Sequence, residues 1–580
     1  MNIDSKQEEE LKLKVKELAL KFALQNAVLH DGKADDKSVM SKVIGEDIEV
    51  RNGIKGNPNL INCVREHTRV AVVSVNSMTL EEQITELQEK SPEMLVKHTK
   101  ERGSALGELK NVSGPVVMRF APGPSGPLHI GHSRAAILND EYTKKYDGKL
   151  ILRIEDTDPD RISLDAYDMI PEDLDWLGVK CHETVIQSTR FEKYYEYAKK
   201  LIEMGHAYVC KCKPDDWRNL KIKKKPCPHR NLPPETHLEE WDKMLNREYN
   251  DEEASVVVKT DLEHPNPAIR DFVALRIVTS IEHPRTGDKY CVYPLMNFSV
   301  SIDDRLLGLT HVLRGKDHLN NTQRQEYIFN YFGWKRPEYI HYGRVSIEDV
   351  ALSKSEIDKG IKGGEFTGWD DVKLGTLRAL KKRGIPPEAI RRYWVEMGAK
   401  EIDVQFSWET LFAHSKDIID KDANRYFFVW QPKEYIIKGI NKLEGHAPLH
   451  PDKPELGVRK IVLSGKGGVK ILITNDDFVK LSSGDKIRLK DLGNVKITDK
   501  NTCEYVGNDL SFLKEGAKII HWVGEDNIPI KVQTPDGEIK EGVCEKGVEN
   551  EIDKVVQFER FGFVRIDREN GKLVGYFAHR

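Results

Sequence analysis

The stretch VVMRFAPGPSGPLHIGHSRAAILND, Val116 to Asp140, decides the fold. It opens on VVMRF, a short β-branched and apolar run that reads as a strand. Beyond it, SRAAILND and the following EYTKKY read as a helix over 132–146. Between them, APGPSGPLHIGH carries three prolines and three glycines in twelve residues and ends on two histidines three apart. A strand, a Gly/Pro loop and a helix place backbone N–H groups where they meet an anion, beyond the carboxyl end of a parallel strand. Glycine permits close backbone approach, and proline stiffens the loop. One helical turn between His129 and His132 lets both face the same ligand, with Gly131 leaving room for a flat ring. The bland alternative is a proline-rich turn with two incidental histidines.

Outward from this stretch the chain alternates strands and helices. KLILRIED reads as a strand, followed by helices at about 165–177 and 189–204. After AYVCKC comes a polar stretch, rich in Lys, Pro and His, to about residue 255. FVALRIVTS and CVYPLMNF read as strands, a helix covers about 320–332, and YIHYGRVSI reads as a further strand. Such alternation implies a parallel sheet with helices on both faces, and the polar stretch an insertion within it. Residues 1–110 are helical in pattern, as in EEELKLKVKELALKFALQNAVL and TLEEQITELQEK, with no chemical constellation. Helices dominate again from 368 to 425. Beyond about 430, short strands such as VKILITN and FGFVRID, with hairpin turns in TPDGEI and RENGKL, suggest one or two barrels.

At 580 residues several cores are expected. The charged fraction of 32% and mean hydropathy of -0.55 describe a water-soluble chain. No apolar run approaches the roughly 20 residues a membrane span needs. The charged N-terminus does not read as a signal peptide, and eight scattered cysteines point to a reducing cytoplasm. A net charge of -4 argues neither for nor against nucleic acid. The local basic run LKIKKKPCPHR, with Lys221, Lys223, Lys224, Lys225 and Arg230, is either a phosphate-contacting surface or an ordinary solvated loop.

A second element, DVALSKS at 349–355, supplies a mobile ammonium and two hydroxyls, Ser353, Lys354 and Ser355; Lys354 is placed to neutralise charge on a pyrophosphate leaving group. The two elements together, about 220 residues apart, resemble the HIGH and KMSKS motifs of class I aminoacyl-tRNA synthetases. RFAPGPSGPLHIGHSRAAILND, LRIEDTDP, YPLMNFSVSIDD and THVLRGKDHL are similar to the glutamyl and glutaminyl branch. The β-rich tail resembles the anticodon-binding barrels of glutaminyl enzymes and of archaeal and eukaryotic glutamyl enzymes.

This resemblance implies a multidomain protein. A Rossmann-like α/β catalytic domain covers 111–345, with an acceptor-binding insertion at about 205–265. The KMSKS loop and a helical connecting domain follow at 346–430, and an anticodon-binding β-barrel region at 431–580. It implies that the catalytic residues are His129, His132 and Lys354. The ATP site is expected at Pro122, Gly123, Pro124, Ser125, Gly126, His129, Gly131 and His132, with Arg344, Val345, Ser353, Lys354 and Ser355. Magnesium is expected on the pyrophosphate, tRNA as partner, and adenylate formation only with tRNA bound. By resemblance Glu155 takes the amino acid's α-ammonium and Arg119 also reaches the amino acid. The sequence departs from the pattern twice. Met296 falls where the family has a tyrosine, with Tyr293 three residues earlier, so either side chain is a candidate for packing on the substrate. Ala351 replaces the first lysine of KMSKS.

Arg314, in THVLRG, discriminates glutamate from glutamine. A guanidinium there pairs with a γ-carboxylate in a charge-assisted contact, whereas a carboxamide leaves a buried cation unpaired. Glutaminyl enzymes carry a small uncharged residue at the matching place. Glutamate is therefore favoured, with a glutaminyl enzyme as the alternative; Arg314 turned away toward a phosphate is the other possibility. The complete set of motifs argues against a catalytically silent tRNA binder, and the β-rich tail against glutamate transfer onto a tRNA base. A monomer is expected, charging tRNA(Glu); tRNA(Gln) is left open as a second acceptor.

Finally, Cys210 and Cys212, then fourteen residues, then Cys227 and His229, make two tight pairs of soft ligands. The spacing fits a tetrahedral structural zinc, stapling an insertion too polar to form its own core; four unmetallated side chains are the alternative.

Overall fold

A computed structural model describes residues 5–29, 32–47, 50, 60–91 and 106–580. The chain divides into two compact units, 1–104 and 105–580. In the first, helices Ser5–Leu29, Asp36–Glu46, Leu60–Asn76 and Leu80–Lys90 share a core that includes Val15, Leu24, Val43, Val64, Val72 and Leu87. Thr79 begins the last of them with a reciprocal capping box to Glu82, so TLEEQ is a helix start with both exposed donors satisfied.

The second unit is built on a parallel sheet. Strands Val117–Phe120, Lys149–Ile154 and Glu183–Ile186 pair in that order. On the other side of the first strand lies His311–Gly315, itself parallel to Glu338–Tyr342. The Thr310 N–H donates to Val117 O at 3.0 Å, and Arg119 Nη1 to Leu313 O at 3.0 Å. Strand order therefore reverses at Val117–Phe120, and the crevice beyond its carboxyl end is the expected ligand position. The loop 121–129 sits there. The helix Ile130–Lys145 that follows buries Ile130, Ile137, Leu138 and Tyr142 against Met118, Phe120, Leu150 and Leu152.

Several expectations need correction. CVYPLMNF is not one strand. Its strand is Val292–Pro294, and a helix runs Met296–Leu306. That helix buries polar and apolar side chains alike, from Asn297 to Asp304, so no alternating pattern marks it. YIHYGRVSI divides at Gly343, where a Cβ would lie 1.9 Å from Ile402 O. Glu338–Tyr342 stays in the main sheet, while Val345–Ser346 pairs with Val404–Gln405 in a separate ladder. The insertion does have a core. Ala207–Cys210, Ser255–Val258, Phe272–Ile277 and Val292–Pro294 form a four-stranded antiparallel sheet. It buries Val256, Val258, Leu275, Trp241 and Met244 with Phe191 and Tyr194 from the preceding helix. Trp241 and Met244 are one turn apart on the helix Pro234–Leu245, a stripe that the surrounding charge conceals.

From Arg425 the chain is mostly strand, in a six-stranded and a seven-stranded barrel-like sheet and a two-stranded ribbon. Both hairpins read from turn residues are present: Asn527–Gln533 with Ile539–Glu545, and Gly562–Glu569 with Lys572–His579.

Candidate active site

The two histidines do not occupy one turn of a helix. His129 is the N-cap, with extended backbone (φ -119, ψ 170), and the helix starts at Ile130. The Gly131 N–H donates to His129 Nδ1 at 3.1 Å, and the His129 N–H to His132 Nδ1 at 3.3 Å. The rings stack with centroids 3.6 Å apart. This is a capping box made of imidazoles. Because each Nδ1 accepts, each neutral ring carries its proton on Nε2. Burial, reinforced by nearby Lys354, depresses His129 to about 4; burial likewise holds His132 well below the ordinary histidine value. Both act as neutral N–H donors near pH 7. A Cβ at Gly131 would stand 3.0 Å from His129 Cε1, so this glycine first makes room for a protein imidazole.

Residues far apart in sequence close the site. Lys354 begins the helix Lys354–Lys362, with Ser353 at its N-cap. Its Nζ donates to Gly126 O at 3.1 Å, which brings the ALSKS loop onto the HIGH loop. Burial depresses the Lys354 ammonium to about 8. Ser353 and Ser355 are exposed, with their hydroxyls 3.3 Å apart. Pro122, Pro124, Gly126 and Pro127 are buried and give the loop 121–127 its fixed shape, with Ser125 half-buried between them.

Beside this loop lies a cavity of about 280 Å³ lined by Arg119, Pro122, Gly123, Gly131, His132, Glu155, Met296 and Arg314, among others. Met296 lines it; Tyr293 does not, being buried in the insertion core with its hydroxyl donating to Tyr290 O. Arg344 and Val345 also lie outside the lining, as do Pro124, Ser125, Gly126, His129, Ser353, Lys354 and Ser355. The Arg344 N–H donates to Asp403 Oδ1, and Val345 is held in its ladder with Val404.

The charges in the cavity are arranged in a definite way. Glu155 is fixed by Arg153, whose Nη2 and Nε donate to Glu155 Oε1 at 2.9 and 3.2 Å. Arg153 is held in turn by Asp304 at 2.6 Å. The sequence reading missed this pair; an arginine inside the apolar run LILRI was the available signal. Arg314 Nη2 donates to Thr322 Oγ1 at 2.6 Å and Gln325 Oε1 at 3.0 Å, and its guanidinium lies 4.6 Å from the Tyr339 ring centre. Arg119 and Arg314 are each 7% exposed, and burial lowers both, Arg119 to about 10. Each has an Nε without a hydrogen-bond partner. Among the described residues, no carboxylate lies within ion-pairing distance of either guanidinium. Glu155 and Asp304 offset part of their charge from beyond contact distance, and two buried cations without a contacting anion remain costly unless a ligand brings one.

Away from this cavity, the ligand atoms of Cys210, Cys212, Cys227 and His229 all lie within 4.8 Å of one another. Cys210 Sγ and Cys227 Sγ are 3.6 Å apart, and His229 Nδ1 lies 3.5 to 3.9 Å from the three sulfurs. A tetrahedral zinc with ordinary bond lengths has S···S edges of about 3.8 Å and S···N edges of about 3.6 Å. The donor set and its spacing fit such an ion. The neighbouring basic run is partly internal. Arg230 pairs with buried Asp271 at 2.9 Å and Lys221 Nζ donates to Asp271 O, which leaves Lys223, Lys224 and Lys225 on the surface, Lys224 beside Glu263 at 3.1 Å.

A model of the tRNA synthetases class I (E and Q) catalytic domain matches residues 115–421. The chain belongs to the class I glutamate and glutamine tRNA synthetases. Models of this family's anticodon-binding domain match 423–509 and 519–567, the region of the two large β-sheets. The chain is 51% identical over 573 residues to the glutamate–tRNA ligase of Methanocaldococcus jannaschii, covering 98% of this chain and all of that one. It is 49% identical to that of Methanothermobacter thermautotrophicus and 48% to that of Pyrococcus furiosus, again with 98% and 100% coverage.

Proposed function

We propose that this chain joins L-glutamate to the 3′ end of tRNA(Glu) through a glutamyl-adenylate. The observation that carries this reading is the pair of buried guanidiniums, Arg119 and Arg314, facing one cavity without carboxylate partners while Glu155 supplies the opposite charge. A zwitterion with an additional carboxylate satisfies all three. Arg314 takes the γ-carboxylate, Glu155 the α-ammonium, and Arg119 lies beside the α-carboxylate. Met296 supplies the apolar contact. Glutamine would leave Arg314 without its anion, which disfavours the glutaminyl reading.

In the first step an α-carboxylate oxygen attacks the α-phosphorus of ATP. The new P–O bond forms as the bond to pyrophosphate breaks, with both electrons leaving on pyrophosphate. The Nε2–H groups of His129 and His132 donate to phosphate oxygens, and the Lys354 ammonium offsets charge on the leaving group. In the second step a terminal ribose hydroxyl of tRNA attacks the activated carbonyl, loses its proton and expels AMP. No protein nucleophile is used, and catalysis rests on positioning. Magnesium would ride on the phosphates of the nucleotide, which supply most of its oxygen ligands.

Zinc at that Cys/His group would hold the start of the insertion in place and present Lys223 and Lys225 to the acceptor end of tRNA. We further propose that the enzyme acts as a monomer in the cytoplasm. Aminoacylation of separate tRNA(Glu) and tRNA(Gln) pools with each amino acid tests the reading. Charging with glutamine in preference to glutamate would overturn it, and the tRNA(Gln) pool decides whether a second acceptor is used.

A further inference from the structure

The HIGH and ALSKS loops are joined by a third segment that no motif marks. The Ile130 N–H donates to Gly375 O at 3.0 Å, the Leu377 N–H to Leu128 O at 2.9 Å, and the Gly375 N–H to Ala351 O at 3.2 Å. Residues 374–377 therefore bridge to His129 on one side and to Ala351 on the other. The fit at Gly375 is close, because a Cβ there would meet Leu352 Cδ2 at 2.5 Å and Val350 Cγ2 at 2.8 Å. Thr376 caps the helix Leu377–Lys382, and its hydroxyl donates to Trp369 O. The Trp369 ring lies against Gly126.

One buried carboxylate ties this strap to the start of the histidine loop. Asp173, on the helix Ala166–Trp176, is 4% exposed. Its Oδ2 accepts the Leu128 N–H at 2.8 Å, one residue before His129. Its Oδ1 lies 3.2 Å from Arg378 Nε, on the helix the strap starts. We propose that Asp173 is a positioning residue for the ATP site: with Arg378 and the 374–377 strap, it sets the separation of the two ATP-binding loops. A buried carboxylate on a helix flank is costly unless it is paired; here one oxygen accepts a loop N–H, while the other faces the Arg378 guanidinium as an ion pair without a hydrogen bond, Arg378 Nη2 donating instead to the neighbouring Glu172. Asp173 touches no substrate. It acts through the placement of the His129 imidazole and, across the strap, of Lys354.

This inference rests on the two loops binding ATP. The test is tRNA-dependent, glutamate-dependent ATP–pyrophosphate exchange on the full chain, as wild type, Asp173→Ala, Asp173→Asn and Arg378→Met. An inactive wild type would sink the functional reading, whereas the inference is judged on the variants relative to an active wild type. Asp173→Ala should raise the ATP KM or lower kcat about tenfold or more, with the glutamate KM within about twofold. Asp173→Asn keeps an acceptor for the Leu128 N–H but loses the charge facing Arg378 and Lys354, so it should recover only part of that loss. Arg378→Met is partly exposed and so tolerant of folding, and should raise the ATP KM about threefold or more. Three results would each overturn the proposal: Asp173→Ala at wild-type constants, ATP and glutamate KM rising together, or Arg378→Met leaving ATP constants unchanged.

Discussion

At the residue scale, Arg314 and Lys354 carry the sharpest consequences. Arg314 holds Thr322 and Gln325 with one nitrogen, so Arg314→Gln removes the charge and keeps a hydrogen-bonding group. Loss of a charge-assisted bond of about 1.5–3 kcal/mol should lower kcat/KM for glutamate about 10- to 100-fold, with the ATP KM little changed. Exchange kinetics with each substrate varied in turn checks this. Lys354 is depressed to about 8 by burial. As pH rises through that value the free enzyme loses its ammonium, and kcat/KM for ATP should fall; Lys354→Arg should abolish that limb. Stability runs the other way. Between about 8 and the ordinary value of 10.5 the unfolded chain binds the additional proton, so folding becomes more favourable as pH rises across that window. A pH series of thermal midpoints for wild type against Lys354→Met reads the difference.

At the scale of elements, the insertion separates what hydrophobic burial does from what a metal would do. Its sheet has its own core around Trp241 and Phe272, so metal loss should not unfold it. The Cys/His group instead joins the end of the strand Ala207–Cys210 to the turn at Cys227–His229. Purified protein should contain about one equivalent of zinc. Cys227→Ser should increase amide exchange over 207–230 while leaving 117–154 protected. Metal content below a few tenths of an equivalent would remove the zinc assignment. The histidine capping box belongs to this scale as well. The HIGH spacing was legible as two rings brought close together, but the cap was not, because histidine is an unusual capping residue and its local partners depend on His129 leaving the helix.

At the scale of the whole second unit, the C-terminal strand is tied back to the helical region by a buried cation. Arg383 is 3% exposed, and donates to Phe577 O and Ala578 O at 3.1 and 2.6 Å. His579 Nε2 and Ser415 Oγ stand 2.8 Å apart alongside it. Arg383→Met leaves two buried carbonyls short of a donor and should weaken docking of 572–579 by about 1–3 kcal/mol. Faster amide exchange confined to that strand and its neighbours checks it.

The sequence by itself determined the order of elements around the HIGH loop, the two large β-hairpins and the pairing of Cys/His residues at 210–229, and it singled out Arg314 as the candidate reader of glutamate. These depend on local chemistry: Gly and Pro at turns, period-two strands, paired soft ligands and motif spacing. Only the tertiary structure decided that Met296 and not Tyr293 faces the cavity, that Arg153 and Asp304 fix Glu155, and that the 374–377 strap joins the HIGH and ALSKS loops, with Asp173 at its edge. Each of those depends on partners between two and about 250 residues apart whose meeting is set by sheet order and packing. A single buried Asp or Gly looks the same in sequence whether it ends a helix or holds two loops together.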